Sequence, residues 1–230
     1  HYLLDDVSML HTQVQGLTYE QRFIKRTFDI VFSALAILLL LPVFVIVAVL
    51  IHMDDNGPIF FLQNRATRGG RIFKVIKFRT MKVNCKNKSA TENDDRITKI
   101  GHKLRKYRID ELPQLFNIFM GDMSFVGPRP EMLENVWSYT EEMPEFKYRL
   151  RVKAGLTGLA QVVGKYNTSP KDKLILDMMY IERFSIWRDI KLIFQTLIVF
   201  LKKDSTEGFE KKHKHIYVVE ETPYEYRIEE

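Results

Sequence analysis

Twenty-two consecutive residues without a charge, Ile30 to Ile51, constrain this chain more than any other feature. As an ideal helix they reach roughly 33 Å against a hydrocarbon core of about 30 Å, long enough to enter or cross a bilayer. The segment starts too deep in the chain and is too long for the apolar part of a cleavable signal, and no small-residue cleavage site follows it. Pro42 falls near its middle. A proline there removes one backbone donor and crowds the preceding turn, so a kink or break is expected at Leu41-Pro42. Lys25 and Arg26 precede the segment, and Arg65, Arg68, Arg71, Lys74 and Lys77 follow it. Positive residues favour the cytoplasmic side, and here they stand on both flanks. A re-entrant helix-break-helix over residues 27–52, dipping into one leaflet and returning, keeps both flanks on one side. This arrangement is expected ahead of a kinked span or a buried core helix, provided the rest of the protein covers the backbone groups freed at the break.

The remainder is polar, and 230 residues suffice for one sizeable domain with appendages. A single cysteine, Cys85, allows no internal disulfide and cannot build a zinc site alone. The stretch from Lys82 to Arg108 carries nine Lys/Arg against three acidic residues, which accounts for the whole formal charge of +6. Such a block suits nucleic acid, anionic headgroups or a phosphorylated substrate, or is simply a solvated face. With no helix-turn-helix pattern, zinc-finger spacing or RNA-binding aromatic motif, nucleic acid is not an expected partner.

Gly57-Pro58 and Gly69-Gly70 punctuate runs rich in β-formers, which predicts a small hairpin. Residues 84–95 read as a polar surface loop. From Asp110 the period becomes helical, with Leu112, Leu115, Phe116 and Phe119 on one face and Gly121 as a stop. Ser169-Pro170 opens a helix carrying Leu174, Met178 and Ile181, and another runs from near Ser185 to Leu201. The fold class expected is α+β, mainly helical, with a small β-hairpin and the membrane helix. His213 and His215 sit in a lysine-rich tail and read as solvated rather than metal-binding.

In "RIDELPQL", Asp110 and Glu111 stand at the start of the predicted helix, where its dipole and free amides keep a carboxylate ionised. A lone Asp at such a site is usually only a cap. Here Arg105 and Arg108 lie just upstream, and "GPRPE" holds Arg129 between Pro128 and Pro130, a rigid setting for a guanidinium that grips phosphate. "KFRTM" adds Lys77 and Arg79, of which one is expected to face the site. Two carboxylates among many cations, in a chain with a membrane segment, point to metal-assisted phosphoryl chemistry near a bilayer.

Several motifs in order resemble the monotopic phosphoglycosyl transferases, also called bacterial sugar transferases or polyprenyl-phosphate hexose-1-phosphate transferases. They are "KRTFDI", "GPIFF" followed by Gln63 and Arg65, "KFRTM", "DELPQLFNIFMGDMSFVGPRPE", and "RVKAGLTGLAQVVG" with Arg149 ahead of it. The resemblance covers about Phe23 to Thr206. It implies transfer of a sugar 1-phosphate from a UDP-sugar to a polyprenyl phosphate, undecaprenyl phosphate being the expected carrier, with release of UMP. The setting it implies is the bacterial inner membrane with the catalytic part facing the cytoplasm, as the first membrane step of capsule, exopolysaccharide or O-antigen synthesis. It makes Asp110 the nucleophile and Glu111 a catalytic carboxylate that holds Mg²⁺. Lys77, Arg105 and Arg129 match the family's basic active-site positions, with Arg79, Arg108, Pro128, Pro130, Arg151 and Lys153 as further substrate-binding candidates. Asp122 and Glu131 are expected either to aid the metal or to satisfy local backbone donors, the second ahead of the first.

On this reading residues 1–22 are a linker from a longer enzyme, 23–206 the catalytic domain and 207–230 a charged tail, and a homo-oligomer is left open. Three positions depart from the family pattern: Leu41 where serine is common, Thr67 where glycine is frequent, and Gly155 where many relatives have proline. The competing readings are a metal-dependent pyrophosphate or phosphodiester hydrolase at the membrane, with water as acceptor, and a non-enzymatic membrane-surface adaptor.

Overall fold

A computed structural model describes residues 2–4, 7–9, 16–83, 94–164 and 168–201. Most of the loop expected at 84–95, and the tail with His213 and His215, lie outside them. In the stretch expected as a linker, β1 (Tyr2–Leu4) and β2 (Val7–Met9) pair antiparallel.

The apolar segment forms the centre of α1, Tyr19–Asp55, 37 residues long. Its start is set by a capping box. The Thr18 hydroxyl accepts from the Gln21 amide at 3.3 Å, and the Gln21 side chain accepts from the Thr18 amide at 2.9 Å. Asn56 ends it in the left-handed region, φ 51°. Of the kink or break expected at Leu41-Pro42, the break is absent, and the helix continues through Pro42. One proline costs a helix a single backbone bond and can bend it without ending it.

Lys25, Asp29, Ser33, Phe44, Val47 and Ile51 are buried on α1, with Ile37 and Leu40 partly buried between them. Spacings of three and four place these residues on one face. The other face is apolar and uncovered: Leu38, Val45, Ile46 and Val49 are exposed, and Leu39 is 79% exposed.

The buried stripe docks both halves of α1 on one body. Near its start, Lys25 pairs with Asp189 of α7 (Ile186–Leu201). One turn on, the Asp29 carboxylate accepts from the Ser124 hydroxyl at 3.0 Å and the Phe125 amide at 3.1 Å, both on β5 (Met123–Val126). Arg26 donates to the Ile118 and Phe119 carbonyls at 2.7 and 2.8 Å, at the C-terminal end of α3 (Gln114–Met120). A cation there satisfies open carbonyls and opposes the helix dipole. Beyond Pro42, the Phe44 ring lies 5.9 Å from that of Phe78 and 5.6 Å from that of Phe116.

The expected hairpin is present. β3 (Phe60–Ala66) and β4 (Ile72–Phe78) pair antiparallel from Phe60 opposite Phe78 to Ala66 opposite Ile72. Gly69 and Gly70 turn the chain at φ 71° and 77°, values that glycine adopts without steric cost. Thr67 keeps an extended backbone at φ −126° and buries its hydroxyl, which donates to the Asp122 carbonyl at 2.8 Å and accepts from the Ala154 amide at 3.2 Å. Its side chain therefore staples three segments where a glycine could not.

Several elements were not anticipated, among them α2 (Lys99–Lys106), α4 (Leu133–Glu142), β5 and β6 (Ala154–Thr157). Four-residue strands carry too few positions to show an alternation. β5 and β6 pair in parallel, and beyond the pairing the Gly155 amide donates to the Pro128 carbonyl at 2.9 Å. A proline at 155 would lack that donor. α5 (Leu159–Val163) leads to α6 (Pro170–Glu182), whose expected start is capped by Ser169. The helix expected from Asp110 begins instead at Gln114, and Phe119, placed by period on its core face, is 46% exposed, with Ile118 buried in its place.

The Lys25–Asp189 pair ties α1 to α7 where both side chains are almost fully buried, and Tyr180 donates a further bond to Asp189 at 2.9 Å. Removing one partner strands the other charge. Asp189→Ala is expected to lower stability by about 3–5 kcal/mol, and Lys25→Met with Asp189→Leu to recover most of it. Chemical denaturation of the detergent-solubilised protein checks both.

Candidate active site

The chain reverses between α2 and α3 through Arg108, which takes the left-handed conformation at φ 52°. A non-glycine residue there is uncommon and strained, and such strain gathers at functional sites. Ile109–Glu111 then form one tight 3₁₀ turn. Asp110 thus lies in a turn of its own rather than at the N-cap of α3, a position taken by Pro113.

Glu111 is clamped. Lys77 Nζ donates to its Oε1 at 2.9 Å, while Arg129 donates through Nη2 to Oε1 at 2.5 Å and through Nη1 to Oε2 at 3.3 Å. Burial alone would push the Glu111 pKa up, but Arg129 and Lys77 outweigh it and hold the carboxyl well below the usual range. Glu111 in turn, against the opposing effect of burial, raises the pKa of the Arg129 guanidinium.

Asp110 has the opposite fate. Among the described residues no hydrogen-bond donor or ion-pair partner lies within bonding distance of its carboxylate. Burial and the adjacent Glu111 charge push its pKa up to about 6, against the pull of Lys77, Arg105 and Arg129. Adjacent carboxylates whose environments drive their pKa values apart are suited to different tasks. One stays charged and fixed, while the other is poised near neutrality with its oxygens unoccupied.

The remaining expected residues divide. Arg105 donates Nε to the Thr80 hydroxyl at 2.8 Å and lends its charge to Asp110. Arg108 faces Arg129, Glu111 and Asp110, and burial lowers its pKa. Pro128 and Pro130 hold the loop that presents Arg129, since their carbonyls accept from Gly155 and, at 3.1 Å, from Arg65. Arg79 is not at the site. Two positions apart on a strand, it and Lys77 would share a face, but β4 ends at Phe78 and Arg79 turns to pair with Asp55 at the end of α1. Arg151 lies over the Tyr148 ring at 4.4 Å, and Lys153 has Arg26, Asp29, Arg68 and Arg71 as its charged neighbours. Asp122 and Glu131 form ion pairs, with Arg71 at 2.8 Å and Lys173 at 3.2 Å, rather than serving backbone donors.

Sequence reading missed the support of Arg129. Arg149, fully buried, donates to Asp177 at 2.9 Å and to the Arg129 carbonyl at 2.8 Å. Arg149 belongs to a motif already singled out, but Asp177 is a lone acid 28 positions on, and no local pattern links them.

No group of three His, Cys, Asp or Glu side chains gathers among the described residues. A divalent cation here would draw most of its six oxygens from phosphates and water, as Mg²⁺ commonly does. Asp110 and Glu111 fit that partial role, Asp110 better, because both Glu111 oxygens already accept bonds.

The bacterial sugar transferase family profile matches residues 20–203. A UDP-N-acetylgalactosamine-undecaprenyl-phosphate N-acetylgalactosaminephosphotransferase of Aeromonas hydrophila is 43% identical over 185 residues, 78% of this chain and 44% of that protein. A UDP-galactose-lipid carrier transferase of Erwinia amylovora is 37% identical over 86% of this chain and 45% of its own length. A UDP-glucose:undecaprenyl-phosphate glucose-1-phosphate transferase of Caulobacter vibrioides is 38% identical over 79% of this chain and 71% of its own length. The chain thus spans less than half the length of the first two.

Ionised Asp110 costs the fold stability, because its pKa is higher folded than unfolded. The cost is absent below about pH 3, where both states are protonated, and complete above about pH 6. Asp110→Asn is therefore expected to stabilise the protein by about 2 kcal/mol at pH 7.5 and by almost nothing at pH 3. Denaturation midpoints of the two proteins at both pH values test this.

Proposed function

This chain belongs to the bacterial sugar transferase family, and from that premise we propose that it transfers a sugar 1-phosphate from a UDP-sugar to undecaprenyl phosphate through a covalent intermediate on Asp110. The observation that carries the proposal is the contrast within the pair: Glu111 fastened by Lys77 and Arg129, and Asp110 unbonded among the same cations.

In the first step an Asp110 oxygen attacks the β-phosphorus of the donor. An acyl phosphate bond forms, the bond to the bridging oxygen breaks, and UMP leaves with that oxygen and its electron pair. Lys77, Arg105 and Arg129 offset the repulsion between a carboxylate and an incoming diphosphate. Glu111 fixes Lys77 and Arg129 in position, so their charge is already oriented when the donor arrives. In the second step an oxygen of the lipid phosphate attacks the same phosphorus, giving the lipid-linked sugar diphosphate and restoring the carboxylate. Mg²⁺, held by Asp110 and Glu111 together with donor phosphate oxygens, would neutralise charge on the diphosphate. Because Asp110 must be ionised to attack, the rate of the first step falls about tenfold per pH unit below pH 6.

The lipid acceptor suits the geometry of α1. Its uncovered face is apolar, while Lys25 near one end and Ile51 near the other both dock on the polar body. A helix crossing the full bilayer could not leave that body in water on one side and touch it at both ends. The proposed disposition is therefore re-entrant, with α1 bent at Pro42 rather than broken there, on the cytoplasmic face of the bacterial inner membrane, as the first membrane step of capsule, exopolysaccharide or O-antigen synthesis.

Two experiments test this reading. Purified protein incubated with Mg²⁺ and a panel of UDP-sugars, without lipid, should gain a sugar-phosphate adduct on the Asp110 peptide by mass spectrometry, and Asp110→Asn should lose both adduct and transfer. UMP release only upon addition of polyprenyl phosphate, with no adduct from any donor, would establish direct transfer instead, and free sugar phosphate as the product would establish a hydrolase. For topology, cysteines placed at Gln15 and Ser89 should label from the same side of sealed vesicles; labelling from opposite sides would overturn the re-entrant arrangement.

A further inference from the structure

A second cationic cluster lies apart from the carboxylate pair. The Thr67 hydroxyl joins the Asp122 carbonyl to the Ala154 amide, so the β3–β4 turn, the corner after α3 and the start of β6 meet at one point. Each contributes a cation or borders one. Arg68 and Arg71 flank the turn, Arg71 pairing with Asp122 at 2.8 Å, and Lys153 directly precedes Ala154. α1 brings the fourth: the Arg26 guanidinium packs over Gly121, where an added Cβ would meet it at 3.1 Å, while bonding the α3 carbonyls.

Among the described residues Asp122 is the one carboxylate at the rim, since Asp29 behind it is engaged by Ser124 and Phe125. Among the described residues the Lys153 ammonium has no hydrogen-bond or ion-pair partner, although the side chain is partly buried. Its charged neighbours are dominated by three guanidiniums, an arrangement that an anion would relieve.

The cluster is separate from the active site. Arg71 and Lys77 stand six positions apart at opposite ends of the hairpin, about 20 Å along the strand. It also borders exposed apolar side chains: Phe23, Ile24 and Ile30 of α1, and Phe119 and Met120 at the end of α3. Cations beside uncovered apolar surface, where a helix enters the hydrocarbon, match an anionic headgroup whose acyl chains lie on the neighbouring side chains.

We propose that Arg26, Arg68, Arg71 and Lys153 form a binding site for the phosphate of an anionic bilayer phospholipid, distinct from the site of transfer. It would anchor the Arg26 end of α1 at the membrane surface while the hairpin's other end faces the reaction.

Native mass spectrometry of the full chain in detergent, without sugar donor, tests this independently of catalysis. Dioleoylphosphatidylglycerol should remain bound where dioleoylphosphatidylcholine, with the same acyl chains, does not. Arg71→Gln and Lys153→Gln should each weaken retention about fivefold, and together about 25-fold, while Lys191→Gln, at an exposed position of α7, leaves it unchanged. Arg71 is over half exposed, so its variant serves if Lys153→Gln fails to fold by circular dichroism. Undiminished retention in the Arg71 variant, or equal loss in Lys191→Gln, overturns the site. Displacement by inorganic phosphate alone would make it a free-phosphate site, and preferential displacement by geranylgeranyl phosphate an acceptor site; either refutes the proposal.

Discussion

The fold depends on one helix having to satisfy two surroundings. α1 turns an apolar face outward, yet it buries Lys25, Asp29 and Ser33 on the other. Buried ionic groups are costly unless paired and hydrogen-bonded, and each here has a dedicated partner: Asp189 for Lys25, β5 for Asp29. Hydrophobic contact alone would let a lipid-facing helix slide or rotate against the domain. These polar pairs fix its rotation and register, and so determine which residues face lipid and which face protein. They also bring α7 and β5 to the same helix, and β5 runs directly into the loop that carries Arg129.

From that loop the site inherits its electrostatics. The Arg129 main chain is anchored by buried Arg149, itself paired with Asp177, and its guanidinium closes on Glu111. Fixing one carboxylate by two cations leaves the adjacent one to feel burial and its neighbour's charge, and so Asp110 is pushed up while Glu111 is pulled down. Removing the clamp would do more than lose two bonds, because Lys77 and Arg129 would no longer be aligned for an incoming phosphate. Preorganised charge of this kind contributes to rate without reorganising during the reaction.

Much of this was legible in the sequence for local reasons. The length of the apolar run, the paired glycines of the hairpin turn, and the Ser169 cap each act within a few residues, and each appears where expected. Asp110, Glu111, Lys77, Arg105 and Arg129, drawn from separate motifs, lie close together in the structure. What escaped was set by distance. Asp29 and Asp189 carry no local sequence signal, and only packing shows them to be buried partners of β5 and Lys25. Arg79 looked like Lys77, but where a strand ends decides which way a side chain goes. Lys153, close in sequence to Arg149, lies with the other cationic cluster because β6 runs past the active-site loop to the hairpin turn.

The departures at Thr67 and Gly155 are linked by that same strand. Thr67 uses its hydroxyl to bond the amide of Ala154, the residue before Gly155, and Gly155 uses its own amide to hold the Pro128 carbonyl next to Arg129. Bonds on successive residues thus run from the hairpin turn to the active-site loop, with β6 between them. A side chain at 155 would collide with the Gly127 backbone, and a proline would in addition give up the bond to Pro128. The hydroxyl at 67 supplies what a glycine there would lack, a fixed anchor for the start of β6. In this chain the position of Arg129 is therefore coupled to the turn that carries Arg68 and Arg71, so the proposed phospholipid site and the proposed donor site are held by one short strand.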